Sequence, residues 1–146
     1  MGFYALDANI VSYLLDRRLD VQRKLRELPQ RDKHLTIVIP SLAYYEVLRG
    51  LYYKDARNKL RMFRNFCCQY QISLMDWDCW DTAAGIYARL RKMGKLIEDA
   101  DIQIAAFCIV NDMTLVTNNA RHFSRIPELK WENWVTEGET NHGNGI

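Results

Sequence analysis

Four short apolar runs in this chain lead straight into acidic or amide side chains. Phe3-Tyr4-Ala5-Leu6 meets Asp7-Ala8-Asn9. Ile37-Val38-Ile39 closes on Pro40-Ser41, with Glu46 five residues further on. Ile97 leads through Glu98-Asp99-Ala100-Asp101 into Ile104-Ala105-Ala106-Phe107, and Leu115-Val116-Thr117 meets Asn118-Asn119. A carboxylate abutting a buried strand is costly to desolvate unless something compensates it. Several carboxylates gathered at one end of a sheet repel one another unless a cation lies between them. Hard divalent ions such as Mg²⁺ and Mn²⁺ take oxygen ligands of this kind. The pattern therefore implies an acidic metal site built on an α/β sheet.

The rest of the chain fits that frame. Residues 3–6 read as a buried strand, followed by a helix from about Ile10 to Leu15. Leu19, Val21, Leu25 and Leu28 suit a second helix stopped by Pro29. Residues 35–39 are rich in β-branched side chains and read as a strand closed by Pro40. Ser41 is placed to cap a helix from Leu42 to about Tyr53, and another helix covers 55–69. Ile72 and Leu74 suggest a short strand. Trp80, Ala83, Ala84, Tyr87 and Ala88 recur at helical spacing within a helix from about Cys79 to Met93, ended by Gly94. A helix opening at Asp99 or Asp101 runs to about Asn111; Leu115–Thr117 and part of 130–134 complete the strands. Strands alternating with helices predict an α/β fold, three layers α/β/α around a central, mainly parallel sheet. In such sheets sites collect at the carboxyl ends of the strands, where Asp7 and Asn118-Asn119 fall.

At 146 residues and 49% apolar composition the chain is one domain able to bury a full core. That domain is expected over residues 1–135, with the polar, Gly-rich stretch 136–146 a disordered tail. Cys67, Cys68, Cys79 and Cys108 show no CxxC and no zinc spacing, so free thiols and a cytoplasmic setting are expected. The N-terminal stretch lacks the charge and apolar core of a secretory leader, and no apolar run reaches membrane-spanning length.

Taken singly, the acids carry ordinary explanations. Asp7 can cap the following helix. Glu46 in mid-helix can face solvent. Asp101 is more telling, because Ile104, Ala105, Cys108 and Ile109 at i+3, i+4, i+7 and i+8 place it on a buried stripe. It also stands at a helix N-terminus, where the dipole favours an anion. Asp99 is expected to cap the helix with Asp101 as the inward ligand, or the two share these roles. His34, His122 and His142 are isolated in sequence, and no Ser/His/Asp or Cys/His scheme finds support. An Asp-nucleophile phosphatase would need a second Asp at position 9, which is Asn.

The ordered set resembles the PIN-domain family and, within it, the VapC-type toxin ribonucleases. The similar segments are Leu6–Asn9, Pro40–Gly50, Ile97–Ala106, Leu115–Phe123 and Ile126–Trp134. The resemblance implies catalytic and metal-ligating roles for Asp7, Glu46 and Asp101, with Asp101 preferred over Asp99 because it stands three residues before Ile104-Ala105-Ala106. The fourth family position, often Asp, falls on Asn119, which offers an oxygen without charge. Ala8 replaces a usual Thr or Ser, and His122 stands where an acid often precedes the Phe; neither is expected to touch the main carboxylates. Asp99, Asn9, Ser41, Thr117 and Arg121 are further candidates for the site.

The implied activity is Mg²⁺- or Mn²⁺-dependent hydrolysis of RNA, leaving a 5′-phosphate and a 3′-hydroxyl. A non-catalytic RNA-binding PIN domain is the alternative, kept open by Asn119. Lys54, Arg57, Lys59, Arg61 and Arg64 form one basic segment and Arg89, Arg91, Lys92 and Lys95 another, each a candidate for the polyanion. The resemblance further implies a homodimer held inactive by a small VapB-like antitoxin. Its apolar segment is expected near Leu14, Leu48 and Leu51, with a basic side chain approaching Asp7 and Glu46.

Overall fold

A computed structural model of the chain describes residues 2–136. Among them the sheet has five strands: β1 (Gly2–Leu6), β2 (Leu35–Pro40), β3 (Gln71–Ser73), β4 (Thr114–Val116) and β5 (Trp131–Glu132). Its order is β3-β2-β1-β4-β5, and every neighbouring pair is parallel. Parallel neighbours need crossovers, which the helices supply. These are α1 (Ala8–Leu15), α2 (Leu19–Arg31), α3 (Ser41–Tyr53), α4 (Arg57–Gln69), α5 (Trp77–Lys92), α6 (Asp99–Val110) and the single turn α7 (Ala120–Phe123).

Successive strand residues point to opposite faces, so one strand feeds two cores. On one face Ala5 and Leu115 pack with Leu90 of α5 and Ile104 and Phe107 of α6. On the other, Leu6 and Val116 pack with Ile10 and Val11 of α1, Val21 of α2 and Phe63 of α4. Because helices cover both faces, β1 and β4 read as continuous apolar runs rather than alternating ones. The expected three-layer arrangement is present, and its sheet is parallel throughout.

Three local expectations need correction. Pro29 lies inside α2 instead of stopping it. It costs the helix only one late hydrogen bond, and buried Leu28 anchors the final turn. Ser41 begins α3 but makes no capping hydrogen bond; Pro40 occupies the cap position. The buried stripe of α5 is Cys79, Ala83, Ile86 and Leu90, rotated from the expected one, and Trp80 remains 44% exposed. Gly94 does end that segment, at φ 67°, a left-handed conformation that favours glycine.

Thr136, placed by sequence in the tail, has its backbone N–H donating to Asp20 Oδ2 at 2.8 Å. The remainder of the expected tail, residues 137–146, lies outside the described residues. The four cysteines are free thiols, and no described helix is long and apolar enough to cross a membrane.

Candidate active site

The chain leaves β1 for β2 on one side and adds β4 on the other, so the strand order reverses between β1 and β4. A crevice opens at such a switch point, outside the carboxyl ends of the strands. Asp7 follows the last residue of β1, and Thr117-Asn118-Asn119 follow β4. The Asp7 amide donates to Val116 O at 3.0 Å, which fixes the two strand ends side by side.

Asp7 is 4% exposed and fully engaged. Its Oδ1 accepts from the Ala8 amide at 2.8 Å, capping α1. Its Oδ2 accepts from Thr117 Oγ1 at 2.8 Å and Asn9 Nδ2 at 3.3 Å. Thr117 Oγ1 accepts in turn from the Asn119 amide at 3.0 Å, and Asn9 Oδ1 from the Asn118 amide at 3.0 Å. These contacts tie the two strand ends into one network. Burial above all pushes the Asp7 carboxyl up to about 6; the hydrogen bonds from Thr117, Ala8 and Asn9 oppose that rise, and the charge of Asp101 adds to it.

Asp101 lies in the first turn of α6, 8% exposed, while Asp99 is exposed. The helix cap position is Glu98, so neither aspartate caps α6, and the inward member of the pair is Asp101. Burial raises its carboxyl above the usual range, and the hydrogen bond and charge of His122 pull the other way. His122 Nδ1 stands 2.6 Å from Asp101 Oδ2, and Asn119 Nδ2 donates to the same oxygen at 3.1 Å. This corrects the expectation that His122 is isolated and clear of the carboxylates. The short turn α7 carries Asn119 at its cap position and His122 one turn on, which brings both to Asp101.

Glu46 projects from α3, half-buried, with Arg49 of the next turn 3.7 Å away. Its carboxyl is pushed up to about 7, first by burial and then by the charges of Asp7 and Asp101. Asp7 and Glu46 therefore both feel the charge of Asp101, and Asp101 itself that of Glu98. Asp7 and Asp101 turn oxygens toward their hydrogen-bond partners, and among the described residues no three His, Cys, Asp or Glu side chains stand as a finished ion cage. Arg121 is exposed, and its guanidinium makes no ion pair or hydrogen bond among the described residues. Ser41 lines an adjoining groove of about 370 Å³ with Tyr45, Leu74 and Trp80.

A family model described as PIN domain matches residues 4–129. Ribonuclease VapC2 of Haemophilus influenzae is 33% identical over 135 residues, covering 90% of this chain and 98% of that protein. Ribonuclease VapC2 of Rickettsia felis is 28% identical over 135 residues, covering 90% and 97%. Among solved structures, VapBC2 from Rickettsia felis bound to a DNA fragment from its promoter superposes with a TM-score of 0.81 at 29% identity, over 91% of this chain and 99% of that one. The VapBC complex from Salmonella typhimurium bound to DNA shares the fold at a TM-score of 0.80. The chain belongs to the PIN-domain family.

Proposed function

We propose that this chain is a metal-dependent endoribonuclease, the toxin of a VapBC-type toxin–antitoxin pair. The observation that carries the reading is the gathering of three acids at the switch point: burial holds Asp7, Glu46 and Asp101 above their usual range, Asp101 adds to the rise of Asp7, and Asp7 and Asp101 add to that of Glu46. Such a set is poorly stable as bare anions. Its donors are all oxygens, the chemistry that suits Mg²⁺ or Mn²⁺. Asp7, Glu46 and Asp101 would hold the ion, with Asn119 beside them. When bound, the ion supplies a Lewis acid that activates water and steadies charge developing on a phosphodiester.

The protein's own contribution is orientation. Thr117 and Asn9 fix the rotamer of Asp7, and His122 and Asn119 fix that of Asp101. Exposed cations on α3, α4 and α5 are available to the RNA backbone.

The relatives' names supply the partner. A VapB-like antitoxin is expected across α1 and α3. Leu48 and Leu51 are partly exposed there, whereas Leu14 is buried in the core and does not present itself. A basic antitoxin side chain at Glu46 would take over the ion's electrostatic role. A homodimer is supported by apolar side chains left open at one end of the molecule: Tyr45, Leu74 and Trp80 line one groove, and Trp77 at the start of α5 is 86% exposed. Free thiols and the absence of a membrane-crossing helix among the described residues are compatible with the cytoplasm.

The test is cleavage of a structured RNA by the pure chain. Activity is expected with Mg²⁺ or Mn²⁺, none with a chelator, and near-complete loss in Asp7→Asn and Asp101→Asn with Asp99→Asn active. Expressed alone, the wild-type chain should arrest growth and Asp7→Asn should not. Binding of RNA without cleavage, together with harmless expression, would establish the non-catalytic reading, which the engagement of Asp101 by His122 favours.

A further inference from the structure

Glu46, Gly50 and Lys54 stand at i, i+4 and i+8 on α3 and its C-cap, and so form one row along the helix. The row lines a groove of about 150 Å³ that is also lined by Asp16, the C-cap of α1, and Lys59 of α4. One end is therefore the acid site and the other is basic. Lys59 is neutralised locally, its Nζ 2.5 Å from Asp16 Oδ1, whereas Lys54 is exposed and makes no ion pair among the described residues. The unbalanced charge at the far end belongs to Lys54.

Gly50 lies between the two ends. A glycine in a helix interior weakens the helix relative to alanine. Nothing in the fold demands one here, because a Cβ built at Gly50 meets no atom within 4 Å. What the missing side chain provides is a bare stretch of groove floor, where a second backbone can pass close to α3.

We infer that the RNA strand leaves the acid site along this row, crosses α3 over Gly50 and is caught through a phosphate by Lys54. The inference rests on the ribonuclease reading and adds to it a route and a positioning residue. Eight residues at about 1.5 Å each put Lys54 roughly 12 Å along the helix from Glu46. A cation at that distance contacts a neighbouring phosphate and leaves the scissile one to the acid site. Lys54 thus fixes register and does not take part in bond cleavage.

The experiment is a fluorescence-anisotropy titration of a labelled 12-nucleotide oligouridine with the full chain across a range of salt concentrations. It is run alongside cleavage of structured RNA and thermal melts. Lys54→Gln should weaken binding about threefold and reduce the salt slope by about 0.7, the value for one phosphate contact on a single strand, with Tm unchanged. Lys54→Arg should restore both. Gly50→Ala should raise Tm and yet weaken binding, and Gly50→Met should weaken it further. A stabilising substitution that loses RNA is not what a structural glycine would give. Wild-type binding with affinity and slope unchanged in Lys54→Gln and Gly50→Met would overturn the route alone and leave the groove to a protein partner. A wild-type chain that neither binds nor cuts RNA would overturn the ribonuclease reading as well.

Discussion

Replacing Asp7 by Asn should stabilise the metal-free protein at neutral pH while abolishing its activity. The fold raises the Asp7 carboxyl from 3.8 to about 6, chiefly by burial. A shift of about two units corresponds to roughly 3 kcal/mol of cost for the ionised form. The sign follows from proton linkage. Between pH 3.8 and about 6 the folded chain holds a proton at Asp7 that the unfolded chain has lost, so stability falls as pH rises through that window. Above it the whole cost is present. Asn removes the charge and, as a good helix cap, can keep the Ala8 amide on its oxygen. Its amide nitrogen then faces Thr117 Oγ1, whose hydroxyl hydrogen loses an acceptor in a fully buried position, at a cost of about 1 kcal/mol. The net gain at pH 7 is about 2 kcal/mol, equivalent to a Tm rise of roughly 4–8 °C in a domain of this size. At pH 4 the folded Asp7 is mostly neutral, about 0.5 kcal/mol of the ionisation cost is left, and the lost hydrogen bond should make the variant the less stable by about 0.5 kcal/mol. Urea denaturation of both proteins in chelator, at pH 4 and pH 7, measures the reversal directly. If Asp7→Asn is less stable than wild type by the same amount at both pH values, Asp7 carries no strain in the fold, and the inference from strained acids to an ion site loses its basis.

The ion itself should act in the opposite sense. Mg²⁺ at tenfold its dissociation constant should stabilise wild type by about 1.4 kcal/mol, a rise of about 3–5 °C, and leave Asp7→Asn unmoved in the same scan. Asn119→Asp places a second carboxylate against Asp101 Oδ2, where Asn119 now donates at 3.1 Å. Without metal it should cost about 2 kcal/mol, and the Mn²⁺-dependent Tm shift should grow; an unchanged shift would mean that position 119 contributes nothing to ion binding. Trp80→Glu puts a charge into the groove it shares with Tyr45 and Leu74. Light scattering should then find a monomer, and a dimer that persists would move the interface to another face.

The elements that sequence makes legible are those whose information is local. An apolar run and the residue directly after it are adjacent in the chain, so β1 with Asp7 and β4 with Asn118-Asn119 could be placed without the fold. The helix that opens at Asp99 keeps Asp101 on the buried side because its apolar neighbours repeat at i+3 and i+4. What failed locally failed through tertiary packing. The stripe of α5 is set by contact with α6, and Trp80, though in phase with a plausible stripe, faces outward. His122 is twenty-one residues from Asp101, on a single turn with no periodicity to read. Only the docking of α7 against α6 brings the two together. The available signal was a polar ring one turn beyond Asn119.

Asp20 shows why burial of an acid is not itself the mark of a site. It has less solvent-accessible surface than Asp7 or Asp101, though it lies nearer the edge of the protein, and sequence offered only an aspartate in a first helical turn. Burial pushes its carboxyl up. The Arg18 guanidinium, with Nε at 2.8 Å, and the amides of Thr136 and Val21 pull it down by more, and the net shift is downward. Asp20 is a satisfied anion that pins the end of the described chain to α2. Asp7 and Asp101 lie deeper in the protein, accept hydrogen bonds as well, and are raised. Among the described residues no cation balances Asp7, and its network supplies only neutral donors: an amide, a hydroxyl and a carboxamide. Three buried acids thus divide by the sign of their shift. Asp20 has a guanidinium built in as its counter-charge, Asp101 has the His122 ring, and Asp7 is left to take one from outside.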